Sequence, residues 1–395
     1  MTSPRDESRI ATSKIPSSAL TVPKRVLVVF GTRPEAIKLC PLISALRSHP
    51  HNSAVETVVC VTAQHRGMLD QVLDTFGVEP DYDLNLMQPG QTLTALTSRL
   101  LAGLEPVFNE VRPALAVVQG DTTSTLCGAL AAFYNSVPVA HVEAGLRTFD
   151  LEAPFPEEMN RVVTGRLADL HFAATDWAAS NLMREGVPAE RVQVTGNTGI
   201  DAVLGIRDAI ELGKVSPPSL PIDETKKLIV VTAHRRESFG PPFLEICQAV
   251  EELAEREDVQ IIWPVHPNPN VQRAVDVTVR RKANVLLLKP LDYLPFVDLM
   301  RQAYLLITDS GGVQEEGPSL AKPILVLRDQ TERPEAVEAG TVKLVGTDRA
   351  AIVREAIRLL DDPAEYDRMS RLHNPYGDGK ASARIAERIT SFLAE

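Results

Sequence analysis

Acidic residues stand at the ends of two predicted strands and in the loop that follows them. Asp121 comes after the first strand, Glu143 ends the second, and Glu157 and Glu158 lie side by side in the loop. The carboxyl ends of parallel strands meet at one edge of an open α/β sheet, where ligands bind. Each acid alone could instead cap the next helix, and that alternative stays open. Three acids around one crossover favour a site that transfers protons.

A second cluster suits an anion such as a diphosphate. The run Asp309-Ser310-Gly311-Gly312 follows a predicted strand and begins a helix, so backbone amides and the helix dipole can face a phosphate. Glu315 and Glu316 follow one turn later, where we expect them to accept hydrogen bonds from ribose hydroxyls, and Arg333 adds a cation at the next strand end. An ordinary capped helix is the alternative. The pattern predicts a nucleotide diphosphate site.

Cations at other strand ends extend the pattern. Arg33 and Lys38 follow the first predicted strand at a helix start, and His234 stands beside two arginines. Solvated surface charge and a structural histidine in a turn are the alternatives. The first strand is not followed by GxGxxG, and GxxxxGK[ST] does not occur, which argues against nicotinamide and P-loop sites. Carboxylates that move protons and cations that stabilise a departing diphosphate predict chemistry on a nucleotide sugar.

Composition narrows the class of protein. The formal net charge is −11, from 41 basic and 52 acidic residues, which argues against a nucleic-acid partner because phosphate backbones bind basic surfaces. The eight histidines form no HExxH run and the four cysteines no CxxC pair. We therefore expect no catalytic metal and no cofactor, and buried free thiols.

The N-terminus and the hydropathy predict a compartment. Residues 1–23 are polar, with scattered Ser, Thr and Pro, and lack the apolar segment of a signal peptide. They predict a disordered tail. Since no apolar run approaches the ~18 residues that span a membrane, we expect a cytoplasmic protein with no membrane partner.

Alternating strands and helices are predicted to position these residues. The apolar runs that predict strands are 24–30, 55–61, 115–118, 137–142, 170–174, 192–194, 228–231, 260–263, 285–288, 305–308 and 324–327. This alternation predicts an α/β protein with two Rossmann-like domains and a central cleft. We place the domains at residues 24–198 and 199–375, although the Pro-rich stretch 212–225 is the clearest break. The helix within 376–395 is expected to pack back across the first domain.

Nine segments carry a resemblance to a known family, the bacterial non-hydrolysing UDP-N-acetylglucosamine (UDP-GlcNAc) 2-epimerases. The resemblance runs from Lys24 to the C-terminus and implies the glycosyltransferase-B architecture, with UDP bound by the second domain. The matching segments are FGTRPEAIK (30–38), TAQHR (62–66), GDTTST (120–125), HVEAGLRT (141–148), PEEMNR (156–161), GNT (196–198), HRRES (234–238), DSGGVQEE (309–316) and RDQTERPE (328–335).

The resemblance also implies a reaction, the interconversion of UDP-GlcNAc and UDP-N-acetylmannosamine (UDP-ManNAc). In this family UDP is eliminated to give 2-acetamidoglucal and is then added back. By segment match the catalytic residues are Asp121, Glu143, Glu157 and His234. Residues that match the family's substrate contacts are Arg33, Lys38, Phe296, Ser310, Gly311, Gly312, Glu316 and Arg333. A second, activating UDP-GlcNAc is expected at Gln64, His65 and Arg66, and a homodimer is expected because family members usually form one.

Other functions remain as alternatives. A hydrolysing 2-epimerase would release ManNAc and UDP, but its relatives have different residues where this chain has HVEAGLRT and PEEMNR. An epimerase for a UDP-2,3-diacetamido uronic acid is disfavoured by GTRPEAIK and HVEAGLR. A glycosyltransferase would not need three acids in the first domain. A catalytically silent UDP-sugar sensor is not favoured, because no site residue is missing.

Overall fold

The structure is a computed structural model that describes residues 23–62, 66–86, 88, 90–279, 282–331, 333–371 and 373–395. It contains two parallel sheets, one of seven strands and one of six. The first strand, β1 (Lys24–Phe30), is buried over its last five residues, as expected where helices cover both faces of a parallel sheet. The predicted α/β class is confirmed.

The first sheet occupies the N-terminal part of the chain. Its strands are β1 (Lys24–Phe30), β2 (Val55–Val61), β3 (Tyr82–Asp83), β4 (Leu115–Gln119), β5 (Val139–Val142), β6 (Leu170–Ala173) and β7 (Val192–Val194). The helices in this part are α1 (Arg33–Arg47), α2 (Arg66–Phe76), α3 (Leu93–Val111), α4 (Thr123–Tyr134), α5 (Glu157–Leu167), α6 (Asp176–Arg184) and α7 (Thr198–Glu211). The strand order is β3-β2-β1-β4-β5-β6-β7.

The second sheet repeats this arrangement. Its strands are β8 (Lys227–Thr232), β9 (Val259–Pro264), β10 (Val285–Leu288), β11 (Leu305–Thr308), β12 (Ile324–Val326) and β13 (Val342–Leu344). The helices are α8 (Pro241–Leu253), α9 (Pro269–Thr278), α10 (Tyr293–Gln302), α11 (Gly311–Glu316), α12 (Pro334–Glu338), α13 (Arg349–Asp361), α14 (Pro363–Ser370) and α15 (Ala381–Ala394). Short 3₁₀ turns occur at His51–Ser53, Ala189–Arg191, Arg236–Ser238 and Gly317–Leu320. The strand order is β10-β9-β8-β11-β12-β13.

Each sheet has one point where the direction of winding reverses. In the first sheet β1 pairs with both β2 and β4, and in the second β8 pairs with both β9 and β11. Ligands of doubly wound sheets bind beyond the carboxyl ends of the strands at such a point. We therefore expect the ligand site at the turns that follow β1, β4, β8 and β11.

Helices from both parts of the chain pack together around α7. This helix contacts α1 in the first part and α10 and α11 in the second. The C-terminal helix α15 contacts α1 and α7, and Asp201 of α7 accepts hydrogen bonds from the backbone of Ala381 and Ser382 at its start. Among the described residues, no helix combines the length and the apolar character needed to cross a membrane.

The turn after β1 requires a glycine for lack of space. A Cβ atom on Gly31 would lie 2.1 Å from Thr62 Oγ1 and 2.5 Å from Ser124 Oγ, and these two buried hydroxyls are hydrogen-bonded to each other at 2.8 Å. Gly31→Ala is therefore expected to lower the free energy of unfolding by about 1–3 kcal/mol through overpacking. Chemical denaturation of both proteins measures this difference.

Gly67→Ala is the matched control. Gly67 is exposed in α2, and no atom lies within 4 Å of its potential Cβ. We expect this variant to stay within about 1 kcal/mol of the parent. Equal stabilities of the two variants would contradict the packing argument.

Candidate active site

The first-sheet turns enclose a cavity of about 230 Å³. It lies at the reversal point, beyond β1, β4 and β5, and Arg333 from the second part of the chain completes its wall. The lining residues are Thr32, Pro34, Glu35, Lys38, Gln119, Gly120, Asp121, Thr122, Glu143, Leu146, Arg147, Thr148, Arg161, Trp177 and Arg333. Two of the predicted catalytic acids thus meet predicted binding cations in one space, which we call the acid cavity.

Glu143 is held in the acid cavity by three neighbours. Lys38 Nζ and Gln119 Nε2 donate to its two carboxylate oxygens, and Asn197 Nδ2 donates to Oε1 at 3.3 Å. The backbone of Glu143 has φ 62°, in the left-handed region that non-glycine residues adopt at a cost of order 1–3 kcal/mol. This conformation turns the side chain from the end of β5 toward Lys38. The result is a fixed, ion-paired carboxylate.

Asp121 has a different environment. Its Oδ2 lies 2.9 Å from Arg161 Nη2, and its carbonyl oxygen accepts a hydrogen bond of 2.9 Å from Asn160 Nδ2. Burial raises the pKa of Asp121 to about 6; Arg161 opposes the rise, while the charges of Glu143 and Glu157 add to it. A carboxyl with this pKa can both release and accept a proton near neutral pH.

The structure separates the roles of Glu157 and Glu158 at the start of α5. Glu158 is fully buried, accepts a 3.0 Å hydrogen bond from Phe149 N and lies 3.4 Å from Arg161. It supports the loop before α5. Glu157 does not line the acid cavity, but it is close enough to contribute to the raised pKa of Asp121. Its Oε2 is buried without a hydrogen-bond partner among the described residues.

An ionic network joins the acid cavity to the second sheet. Glu315, at the end of α11, lies 2.7 Å from Arg333 Nε and 3.7 Å from Lys38 Nζ, and accepts a 3.0 Å hydrogen bond from Asn197. Burial opposes ionisation of Glu315, but Arg333 and Lys38 outweigh it and lower its pKa. The carboxylate of Glu315 thus contacts residues of both parts of the chain, and its predicted contact with ribose stays a prediction.

A second cavity of about 200 Å³ lies beyond β8 and β11, and we call it the nucleotide cavity. It contains three of the predicted binding residues together with His234. Its lining residues are Arg33, Thr232, Ala233, His234, Pro264, His266, Pro290, Leu291, Phe296, Ser310 and Val313. Arg33 lines the nucleotide cavity, while Pro34 and Lys38 of the same helix line the acid cavity. The N-terminus of α1 therefore connects the two spaces.

His234 is positioned by a buried carboxylate. Its Nδ1 lies 3.1 Å from Asp309 Oδ1, and Asp309 Oδ2 accepts hydrogen bonds from the backbone of His234 at 2.6 Å and Arg235 at 2.7 Å. Burial opposes ionisation of Asp309, but these bonds and His234 lower its pKa. The ring of His266, a residue outside the predicted site, stacks on His234 with 5.2 Å between ring centres. Among the described residues, no hydrogen bond of His234 Nε2 is seen, and the ring lines the nucleotide cavity.

The glycine turn before α11 is built around Arg333. A Cβ on Gly311 would lie 2.5 Å from Arg333 Cζ, so the absence of a side chain lets the guanidinium lie against this backbone, and a larger residue would displace it. Glu316 accepts a 3.4 Å hydrogen bond from Tyr293 Oη, and burial together with the charge of Glu315 raises the pKa of Glu316 to about 8. A ribose hydroxyl bound there would find a carboxyl held away from bulk water.

Glu35 is a site residue that sequence reasoning missed. It is 1% exposed, and its Oε2 accepts from the backbone of Gly31 at 3.0 Å and Thr32 at 2.7 Å. Its Oε1 accepts from the hydroxyls of Thr122 at 2.8 Å and Thr125 at 3.1 Å. Glu35 thereby ties the turn after β1 to the turn after β4. The capping pattern Thr-x-x-Glu predicts only the first half of this contact.

The structure describes little of the segment predicted to bind an activating UDP-GlcNAc. Gln64 and His65 lie outside the described residues, and only the backbone of Arg66 is described. In the part of the chain that the structure describes, no three His, Cys, Asp or Glu side chains are grouped to hold a metal ion. All four cysteines, Cys40, Cys60, Cys127 and Cys247, are buried free thiols.

The raised pKa of Asp121 predicts a pH-dependent stability difference. A folded-state pKa of about 6 against an ordinary 3.8 gives a contribution that is fully present below pH 3.8 and is lost as pH rises through 6. The Asp121→Asn variant has no ionisable group at this position, so its stability does not fall with this titration as the pH rises. Relative to the parent, the variant is therefore expected to gain on the order of 2 kcal/mol between pH 4.5 and 7.5. Urea denaturation at both pH values measures it, and a pH-independent difference would contradict the assignment.

The structure contains two Rossmann-type sheets, and their reversal points lie beside the acid cavity and the nucleotide cavity. This arrangement defines the glycosyltransferase-B architecture. The glycotransferase of kitacinnamycin, 14% identical, has a TM-score of 0.63 over 94% of this chain and 100% of its own, a likeness in fold alone. The crystal structure of UDP-GlcNAc 2-epimerase from Neisseria meningitidis bound to UDP-GlcNAc is 45% identical, with a TM-score of 0.85 over 93% of this chain and 100% of that one.

Sequence comparison is more specific. The UDP-N-acetylglucosamine 2-epimerase of Salmonella typhimurium is 55% identical over 374 residues, which cover 93% of this chain and 99% of that protein. The family model described as UDP-N-acetylglucosamine 2-epimerase matches residues 47–390. This chain belongs to the UDP-N-acetylglucosamine 2-epimerase family, whose members are enzymes that act on carbohydrates. The predicted family is confirmed.

Proposed function

We propose that this protein interconverts UDP-GlcNAc and UDP-ManNAc without hydrolysis, by eliminating UDP and adding it back. The observation that carries the proposal is the acid cavity, where Asp121 and Glu143 face one space in different environments. Asp121 has a pKa raised to about 6, and Glu143 is paired with Lys38. Epimerisation at C2 needs one group to remove a proton and another to return one to the opposite face.

The two cavities divide the substrate between them. The nucleotide cavity offers Phe296 as an apolar wall and Ser310 at the glycine turn, features suited to uridine and phosphate. Gly311, Gly312, Glu316 and Arg333 belong to the same turn region. The acid cavity then receives the sugar, and the diphosphate lies between the two cavities, with Arg33 and His234 on the nucleotide side and Lys38 on the acid side.

The proposed reaction needs both the acids of the acid cavity and the cations beside the diphosphate. The C2 proton of the sugar is not adjacent to a carbonyl, so it is removed together with departure of the C1 substituent. The C2–H bond breaks with its proton going to a carboxylate, a C1=C2 double bond forms, and the C1–O bond breaks with its electron pair going to UDP. Re-addition reverses these changes, with the proton delivered to the other face. Cations fixed beside the departing diphosphate stabilise the developing negative charge.

Three acids are candidates for proton transfer at the two faces of C2. Asp121 and Glu143 line the acid cavity, and Glu157 contributes to the raised pKa of Asp121. We infer that Asp121 and Glu143 exchange protons with C2 and that Glu157 supports Asp121. Arg161, which sequence reasoning missed, orients Asp121 through the 2.9 Å ion pair.

Product analysis tests the proposal. Purified protein is incubated with UDP-GlcNAc, and nucleotide and sugar products are separated by ion-exchange chromatography and identified by mass and proton spectra. Accumulation of UDP-ManNAc with no free ManNAc supports non-hydrolysing epimerisation. Free ManNAc with stoichiometric UDP would establish a hydrolysing enzyme instead. If UDP-GlcNAc is unchanged but a UDP-2,3-diacetamido uronic acid is epimerised, the substrate assignment fails while the C2 chemistry stands.

A further inference from the structure

Trp177 is a large aromatic side chain that the chemistry above does not use. It is the second residue of α6, half-buried, and lines the acid cavity together with Lys38, Asp121 and Glu143. Leu146 and Pro34 are other apolar members of the same lining. Trp177 therefore places a large aromatic surface next to the carboxylates and cations of the acid cavity.

A structural role does not account for this indole. Among the described residues, Trp177 belongs to none of the hydrophobic clusters that form the cores and makes no ring-stacking contact. The neighbouring cluster of α6 consists of Ala173, Ala178 and Ala179, with Val192 against it. The only other tryptophan in the sequence, Trp263, is fully buried in the core of the second sheet.

The proposed reaction creates a need for an apolar contact at this position. Once the C1–O bond breaks, the sugar is no longer attached to UDP, and the carboxylates around it are changing protonation. A flattened unsaturated ring has an apolar face, and an aromatic side chain packs against such a face without depending on charge. Small ligands are oriented by a few polar groups and retained largely by apolar walls.

We propose that Trp177 packs against the sugar ring of the substrate and retains the unsaturated sugar intermediate while UDP is detached. The site is a carbohydrate-binding wall formed by Trp177 with Leu146, and Trp177 acts by binding and positioning rather than by proton transfer. This inference rests on the proposed function, because elimination of UDP produces a detached sugar that must stay bound until UDP adds back.

Intrinsic fluorescence tests the contact without requiring chemistry. Trp263 is buried in the core of the second sheet, but the next residue, Pro264, lines the nucleotide cavity. The emission change that belongs to Trp177 is therefore the difference between the parent and Trp177→Phe. We expect this difference with UDP-GlcNAc and none with UDP alone. An equal difference with UDP alone, or the same emission change with UDP-GlcNAc in Trp177→Phe as in the parent, would overturn the proposal.

Kinetics of two variants test retention. Trp177→Ala is expected to raise KM for UDP-GlcNAc roughly tenfold and to release free UDP and 2-acetamidoglucal during turnover. Trp177→Phe keeps an aromatic face and is expected to stay within about threefold of the parent. Thermal unfolding of both variants checks that the fold is retained, as the position of Trp177 outside the cores predicts.

The outcomes separate this inference from the proposed function. If the parent forms UDP-ManNAc but Trp177→Ala has an unchanged KM and releases no glycal, the role of Trp177 is refuted and the proposed function stands. If the parent forms no UDP-ManNAc, the retained intermediate is refuted with the proposed function. The fluorescence comparison of UDP-GlcNAc with UDP then decides separately whether Trp177 contacts the sugar.

Discussion

Asp121→Asn is expected to lower kcat for UDP-GlcNAc epimerisation by roughly 10²–10⁴-fold, the contribution typical of a positioned proton-transfer group. Asn has nearly the same shape but cannot exchange a proton near neutral pH. The 2.9 Å contact of Asp121 is with Arg161 in the first part of the chain, whereas the nucleotide cavity is built by other residues. UDP affinity should therefore change little. Initial-rate kinetics and calorimetric UDP titration measure the two quantities.

The control for this variant is a remote acid of the same type. Asp74→Asn changes an exposed residue of α2 and should leave kcat unchanged. A kcat for Asp121→Asn within about threefold of the parent would exclude Asp121 from proton transfer. An equal loss of UDP affinity would instead indicate a role in binding.

Lys38→Met is expected to have the largest effect on stability. Lys38 lies between Glu143 and Glu315, and the side chains of all three are mostly buried, with exposures of 16%, 9% and 6%. Burial alone would lower the pKa of Lys38, but the two carboxylates outweigh it and raise that pKa. Without the cation, Glu143 loses its ion pair away from water, while Glu315 keeps Arg333. Removing one partner of a buried ion pair costs about 3–5 kcal/mol of unfolding free energy.

The carboxylate that Lys38 pairs with provides the control. In the double variant Lys38→Met/Glu143→Gln this carboxylate is neutral and Glu315 keeps its 2.7 Å contact with Arg333, so part of the lost stability should return. Epimerisation should remain low in both proteins, since Lys38 also faces the proposed diphosphate position. Equal stabilities of the single variant and the parent in urea denaturation would show that the ion pairs contribute nothing measurable.

The strand-end residues could be predicted because their positions depend on local pattern. An apolar run followed by a turn places Asp121 and Glu143 at one edge once the sheet is parallel, and the structure brings both into the acid cavity. The turn residues Ser310 and Gly311 follow from the same reasoning. Some strand bounds differ by one or two residues: the predicted run 137–142 is β5 (Val139–Val142).

Contacts between distant segments could not be predicted in this way. Nothing local indicates that Arg161 meets Asp121, or that Glu315 lies 3.7 Å from Lys38 of the first part of the chain. Glu143 has a left-handed backbone, which a non-glycine residue rarely adopts, so its own residue type does not predict this conformation. Trp177 was missed because a single aromatic at a helix start carries no periodic signal. The edge strands β3 and β13 were not predicted; β3 has only two residues, too few for a pattern, and β13 has three.

The most direct test of the central claim is proton NMR of the reaction in D2O. If one acid of the cavity removes the C2 proton and another delivers a solvent-derived proton to the opposite face, the product formed in D2O must carry deuterium at C2. We predict that UDP-ManNAc appears with deuterium at C2 and that free ManNAc does not accumulate. UDP-ManNAc that retains the original proton at C2 would contradict proton transfer by Asp121 and Glu143, and with it the account of the acid cavity.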